Sequence, residues 1–339
     1  MEKIALKIKN WIRENPRETI ILLLILAVGT FLRLYRIDEY MIFLADQGRD
    51  ALVVRRLLVN ADPILVGPGT SVGNMYLGPI YYYMMAPALW LANYSPVGPS
   101  VMVALFGVAT IFFVWYFARK LFGVWGAAFS AILYAVSPTV VYLSIFSWNP
   151  NIMPFFALLT IYSIWKFWAE EKFNWIVVAG VSMGFVLQSH YLGLLLIPTL
   201  GMFWLLTYLK VRKTDNLRFF IRNTLSGIGI FVLLMSPLLV FDARHDWRNF
   251  LAMKEFFLVS SGGSFSLAAA LNRTVTVAKD ISFYLLGGRN LVYGNIILVA
   301  IIIFLGKTVW LWKKIEITQR KAFFLILVWL GAGILGLSF

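Results

Sequence analysis

The sequence predicts an all-α protein built as a polytopic bundle of transmembrane helices. Three observations carry that class. Hydrophobic residues make up 60% of the 339 residues and charged residues only 14%, and the mean hydropathy is +0.80, more apolar surface than a water-soluble core of this size can bury. Runs such as IILLLILAVGTFL and ILVAIIIFL are of the kind that sits in lipid. The Lys and Arg residues behind the net charge of +14 fall between the apolar runs rather than on a polar domain. That is the signature of membrane sidedness, not of nucleic-acid binding. With no Cys and only two His, disulfides and thiolate metal sites are excluded and a conventional zinc site is disfavoured.

The elements follow in order. KIALKIKNWIR alternates cationic and apolar positions at helical spacing, so residues 1–18 are read as an interfacial helix on an anionic cytoplasmic leaflet. Thr19 to Leu34 follows this basic stretch without a small-residue cleavage site and reads as an uncleaved signal anchor, with the N-terminus in the cytoplasm. The first external loop is placed at 37–96, where amphipathic juxtamembrane helices are expected. Further spans are predicted at Val97–Ala118, Val124–Ser144, Met153–Ala169, Trp175–Leu187, Tyr191–Leu209, Phe219–Phe241, Tyr293–Trp312 and Ala322–Phe339.

LGPIYYYMMAPALWLANY (Leu77–Tyr94) is apolar enough to cross but contains Pro79 and Pro87 and is rich in tyrosine, which favours the interface. Sidedness arbitrates. If this piece does not cross, Arg119 and Lys120, Lys166 and Lys172, the Lys210–Arg222 cluster and the Lys307–Lys321 cluster all join the N-terminal charges in the cytoplasm. It is therefore read as a re-entrant or interfacial helix pair. The domain plan is an interfacial helix at 1–18, a transmembrane bundle at 19–241, an extracytoplasmic loop or lid at 242–292 with short helices around Gly-Gly hinges, and further spans at 293–339. The apolar ending ILVWLGAGILGLSF leads us to expect a truncated chain.

That topology brings four polar clusters to the extracytoplasmic face. In ADQGRDALVVRRLL, Asp46 and Asp50 lie one helical turn apart, and Arg49 and Arg56 lie two turns apart on one face. The bland reading is a solvated helix whose charges pair with one another; the functional one is a carboxylate that takes a proton beside cations that hold an anion. SWNPN offers Asn149 and Asn151 as helix caps around Pro150, and Trp148 as a face on which a sugar ring could stack. QSHY follows a short span, which puts Gln188, Ser189 and His190 below the membrane surface, where polar groups face a watery cavity or a buried partner. In FDARHDW and the Arg248 that follows it, Asp242, Arg244, His245, Asp246 and Arg248 crowd the outer interface, more than an interfacial anchor needs, and suit a phosphate. No P-loop, GxSxG, HExxH or EF-hand pattern is present.

Taken in this order, the chain resembles the GT-C superfamily of glycosyltransferases, multi-span enzymes that use polyprenyl-phosphate-linked sugars and include protein O-mannosyltransferases and lipid A aminoarabinose transferases. The resemblance is carried by the anchor, the acidic first-loop motif, GPIYYY, ARKLFG, SWNPN, QSHY and FDARHDW, over roughly residues 19 to 250. It implies a GT-C type bundle and maps the family's catalytic aspartate to Asp46. Relatives commonly carry Asp-Glu there; this chain has Asp46-Gln47. Where many have a Lys-Pro-Pro-like element before the tyrosine-rich helix, this chain has Leu77-Gly78-Pro79.

The expected activity is transfer of a sugar from a polyprenyl-phosphate donor to an acceptor hydroxyl on the extracytoplasmic face, with inversion and Asp46 as general base. Arg49, Arg244 and His245 are the candidate phosphate ligands. Asp50, Trp148, Asn149, Gln188, His190, Tyr191 and Asp242 are the candidates for the rest of the substrate. No cofactor is expected, and a divalent metal is disfavoured by Gln47. The expected partners are the lipid-linked donor, membrane lipid and an unidentified acceptor, with no nucleic acid. The competing class is a transporter or flippase for lipid-linked sugars, which predicts ionisable residues along a central path and two similar halves. Neither feature is found in the sequence.

Overall fold

A computed structural model describes residues 2–70, 75–259 and 267–338. Among them there is no β-strand, only one isolated bridge between Gly69 and Tyr76. The chain opens with α1 (Glu2–Glu14) and α2 (Pro16–Leu34), the latter led by a proline whose missing N–H has no helical partner to lose. Next against α2 stands α6 (Val97–Val136), which is two helices broken at Gly123, where φ is +75° and only glycine is free of a Cβ clash.

The contacts give the direction of each half of α6. Arg119, just before the break, pairs with Glu18 at the start of α2. Near the other end of α2, Arg33 lies beside Gly107 of the first half and donates to the Ala135 carbonyl of the second, at 2.9 Å. The chain therefore reverses at Gly123, between the two predicted spans. Arg33 is buried without a carboxylate; its guanidinium instead caps the Tyr134 and Ala135 carbonyls, the negative end of the second half. That half stops at Val136, short of the predicted Ser144, because Ser137 precedes Pro138 and is pushed out of the helical region; a short α7 (Pro138–Leu143) follows.

Because Gly107 and Arg33 lie together, residues 35–96 leave and return on one side of the bundle. This segment holds α3 (Ile37–Tyr40), α4 (Ala45–Asn60) and α5 (Ile80–Leu91). Twelve residues of α5 span about 18 Å, against about 30 Å of hydrocarbon, so α5 does not cross. The expected helix pair at 77–94 is thus a single helix. Before it, Pro63, Gly67, Pro68 and Gly69 keep the chain from coiling. The stretch folds back as an arm, with Gly67 N–H donating to Leu77 O at 2.7 Å and Leu77 N–H to Pro68 O at 3.0 Å.

The rest of the bundle comprises α8 (Met153–Ile164, continued by a π-helical turn to Ala169), α9 (Trp175–Ser189), α10 (Leu196–Val211) and α11 (Asn216–Arg244). Beyond them come α12 (Arg248–Val259), α13 (Leu267–Ile281), α14 (Leu291–Trp310) and α15 (Ile317–Ser338). Six described helices are long and apolar enough to cross a membrane: α6, Asn149–Ala169, Tyr191–Val211, α11, α14 and α15. With α6 folded in two, the charged-ended α2 and the shorter α9, each predicted span has its helix. The protein is a multi-pass membrane protein. The core is largely aromatic, with Phe156 stacked on Phe185 at 4.3 Å and Phe203 buried against Trp168 and Phe324.

At the end where α6 reverses, Lys120, Lys166 and Lys172 surround Glu170, and Lys210 pairs with Glu171. Three basic clusters predicted to share a side therefore touch. Burial works against the Glu170 carboxylate, but the three ammonium groups bring its pKa down to about 2. The region predicted as a loop or lid at 242–292 begins later than expected, since α11 runs on through Arg244, and it contains α12 and α13; the first Gly-Gly pair, 262–263, lies outside the described residues.

Candidate active site

The end of the bundle opposite Glu170 gathers the four polar clusters. α4 begins where the Leu44 N–H donates to Gln47 Oε1 at 2.9 Å. That bond is the Gln47 half of a capping box, so Gln47 serves as a helix cap. Asp46, in the first turn, is half exposed and pairs with Arg49 at 3.0 Å. One turn on, Asp50 is fully buried. Its Oδ1 accepts from Arg49 Nε at 2.9 Å, from Arg49 Nη2 at 2.8 Å and from the Tyr82 hydroxyl at 2.9 Å. Its Oδ2 is buried without a partner. Burial raises the Asp50 pKa, and Arg49 and Tyr82 oppose that rise without cancelling it. Arg49 therefore forks between two carboxylates, one exposed and one buried.

Beside this pair lies an open cavity of about 340 Å³ that carries charged side chains on a mostly apolar lining. Its walls are Arg49, Val53 and Arg56 from α4, Tyr82 from α5, and Asp62, Gly67 and Tyr76 from the arm. The arm is tied to α5 through Tyr83, whose hydroxyl donates to Ile64 O at 2.9 Å and accepts from Ile64 N–H at 3.0 Å. Tyr76 also lines a second, apolar cavity of about 110 Å³, walled by Met75, Leu187, Leu194, Met235 and Leu238. One tyrosine thus borders both the cavity that carries Arg49, Arg56 and Asp62 and the apolar one.

Tyr76 is held from α11 and α12. Its N–H donates to Asn249 Oδ1 at 2.7 Å. Asn249 is in turn placed by Asp242, which accepts from Asn249 N–H at 2.6 Å and from Phe250 N–H at 3.1 Å, satisfying two of the free amides at the start of α12. The predicted residue Asp242 is therefore a buried remote cap. His245 stacks on Phe241 at 4.1 Å, and Phe241 packs edge-on against Tyr76 at 5.7 Å. Arg244 is exposed in the last turn of α11. Neither Arg244 nor His245 lines the cavity beside Asp50.

The remaining candidates bind helix to helix. Gln188 is buried; its Oε1 accepts from Ile80 N–H at 3.2 Å and its Nε2 donates to Leu234 O at 2.8 Å, joining α5, α9 and α11. Gly78 packs against this amide so closely that an added Cβ would sit 2.2 Å from Gln188 Oε1. Asn149 donates to Ser189 O at 2.6 Å, linking SWNPN to QSHY. Ser147 and the Tyr81 hydroxyl share a hydrogen bond of 2.6 Å. Trp148 stacks on Phe146. His190 accepts from Leu192 N–H and stacks on Tyr191 at 4.4 Å; burial lowers its pKa, so it is held as the neutral imidazole. Tyr191 lines the apolar cavity.

Sequence reasoning brought Asp46, Arg49 and Asp50 together correctly as neighbours and missed Tyr76, Tyr82 and Asn249. The tyrosine-rich stretch was the available signal for Tyr82; nothing in the sequence marks Asn249. Among the described residues, no group of three or more His, Cys, Asp or Glu side chains could hold a metal ion.

Residues 77–241 match the family described as dolichyl-phosphate-mannose-protein mannosyltransferase. The match bears out, over that segment, the GT-C resemblance read from the sequence. No curated protein matches. Among solved structures, the chain is similar to the archaeal oligosaccharyltransferase AglB from Archaeoglobus fulgidus in complex with an inhibitory peptide and a dolichol-phosphate, at 13% identity and a TM-score of 0.48, over 97% of this chain and 50% of that one. It is also similar to the Archaeoglobus fulgidus oligosaccharyltransferase in complex with Zn and sulfate, at 15% identity and a TM-score of 0.44, over 94% of this chain and 48% of that one. The chain spans about half the length of these proteins.

Proposed function

We propose that the protein is an integral-membrane glycosyltransferase that moves a sugar from a polyprenyl-phosphate donor to an acceptor hydroxyl on the extracytoplasmic face, its N-terminus lying in the cytoplasm. One observation carries the reading: a cavity that carries two arginines and two tyrosines shares Tyr76 with an apolar cavity, and the helix bearing those arginines presents a half-exposed aspartate, Asp46. A lipid-borne phosphate needs that pairing of an anion site with an apolar slot.

In the proposed reaction Asp46 takes the proton of the acceptor hydroxyl as its oxygen bonds to the anomeric carbon, while the bond from that carbon to the phosphate oxygen breaks and its electron pair leaves with the polyprenyl phosphate. A single displacement inverts the anomeric centre. Arg49, held 3.0 Å from Asp46, faces the phosphate with its remaining N–H groups, and Arg244 adds positive charge from the α11 flank with His245 beside it. Gln47, engaged in the capping box, offers no second acid for a metal, which supports metal-independent chemistry.

The test is transfer from radiolabelled dolichyl-phosphate-mannose by the purified chain supplied with membrane acceptors. Asp46→Asn should lower the rate by about 10²- to 10⁴-fold, the usual contribution of a general base. An undiminished rate removes Asp46 from that role.

A further inference from the structure

Arg49, Val53 and Arg56 recur at i, i+4 and i+7, so they share one face of α4, and that face is one wall of the cavity beside Asp50. The three arginines of the helix differ in what they already hold. Arg49 is divided between Asp46 and Asp50. Arg55, on the neighbouring face, sits over the Tyr94 ring at 5.9 Å. Arg56 makes no ion pair, hydrogen bond or ring contact among the described residues, yet its side chain lines the cavity. The one carboxylate that also lines the cavity, Asp62, forms no ion pair with it. An unengaged arginine on the wall of a cavity that also holds Arg49, Tyr76 and Tyr82 offers a planar fork for a tetrahedral anion, with no existing bond to break first.

Resting on the donor reading above, we propose that Arg56 is the principal ligand of the donor's phosphate, seating it in the cavity walled by Tyr76 and Tyr82. Asp62, across the same cavity, opposes the phosphate charge and is left to accept sugar hydroxyls. Arg56 is exposed and unpaired, so replacing it removes charge without removing a fold contact.

The experiment titrates the full chain in lipid nanodiscs with dolichyl phosphate and, separately, with dolichol. Arg56→Gln should weaken dolichyl phosphate binding roughly tenfold to hundredfold, the worth of a charge-assisted fork, and leave dolichol binding unchanged. Arg56→Lys should fall between the two, keeping the charge without the fork. Asp62→Asn should tighten dolichyl phosphate binding by removing the opposing charge. If the wild type favours dolichyl phosphate over dolichol and Arg56→Gln keeps that preference, the Arg56 assignment is overturned while the donor reading stands. Equal losses for both lipids, or Asp62→Asn weakening phosphate binding as much as Arg56→Gln, would make Arg56 a structural residue and overturn it too. A wild type that cannot tell the two lipids apart overturns the donor reading and this assignment together.

Discussion

Asp242 is the residue whose role changed most between sequence and structure, and its removal makes a quantitative test. It is 5% exposed, and its carboxylate accepts the backbone N–H groups of Asn249 at 2.6 Å and Phe250 at 3.1 Å. Asp242→Ala leaves two amides of the first turn of α12 without partners. One lost cap is worth about 1 kcal/mol and a second buried amide adds a comparable amount, so the change should cost roughly 2–3 kcal/mol. In a thermal melt of the purified protein in detergent this corresponds, for a chain of 339 residues, to a drop of about 3–4 °C. Asp242→Asn keeps one acceptor oxygen and should lose about half as much. Because Asn249 in turn holds the Tyr76 N–H at 2.7 Å, hydrogen exchange should quicken at Tyr76, Asn249 and Phe250 and stay unchanged at the Gly123 end. Unchanged exchange at Tyr76 in a variant that melts lower would refute the coupling of this cap to the cavity wall, and an unchanged melting temperature would refute the cap itself.

Three further outcomes are expected. Burial raises the Asp50 pKa, so the folded state binds the proton more tightly than the unfolded one; its stabilising effect is present in acid and is lost as pH rises through the folded pKa. Asp50→Asn, which stays neutral, should therefore gain stability relative to wild type between acid and neutral pH, and a melting difference that does not change with pH counts against this. Glu170 has the opposite sign: its pKa of about 2 lies below the ordinary range, so its contribution is present at neutral pH and lost as pH falls through that value. The melting deficit of Glu170→Gln should accordingly be largest near neutrality and narrow in acid; a deficit that grows in acid would contradict the lysine cluster. Gly78→Ala would put a methyl group 2.2 Å from Gln188 Oε1, so this variant should lose the Ile80 hydrogen bond and be destabilised by about 1–3 kcal/mol, the cost of overpacking, seen as a lower melting temperature. A neutral result would mean the contact is slack.

Much of the fold was legible before any coordinates, for a reason that lies in the solvent. A bilayer of fixed thickness selects apolar runs of about 20 residues, and charge asymmetry orients them, so the spans and the return of the Leu77–Tyr94 piece could be read from composition along the chain. Gly123 falls in the gap between two predicted spans, and the tyrosine-rich segment is a helix too short to cross. The places where the reading differed are local: proline ended the second half of α6 early, and the helix pair expected at 77–94 is one helix.

The candidate site was legible only in part. That Asp46, Arg49 and Asp50 would meet follows from helical spacing, because residues three and four apart lie on one face. Spacing could not say that Asp50 would be buried and Asp46 exposed, since the difference is made by Tyr82 of another helix. Nor could it say that Gln188 would bridge Ile80 and Leu234, or that Asp242 would cap α12.

The sequence by itself determined which segments enter the membrane, which ends share a side, and that an aspartate and arginines would stand together at one of them. Those outcomes depend on terms that add along the chain: transfer of apolar groups to lipid and the positions of charges. Tertiary structure alone decided which polar groups face a cavity and which are occupied in joining helices. A hydrogen bond between residues more than 100 positions apart, such as Tyr76 with Asn249 or Ile80 with Gln188, depends on how whole helices pack, and no local pattern encodes that packing.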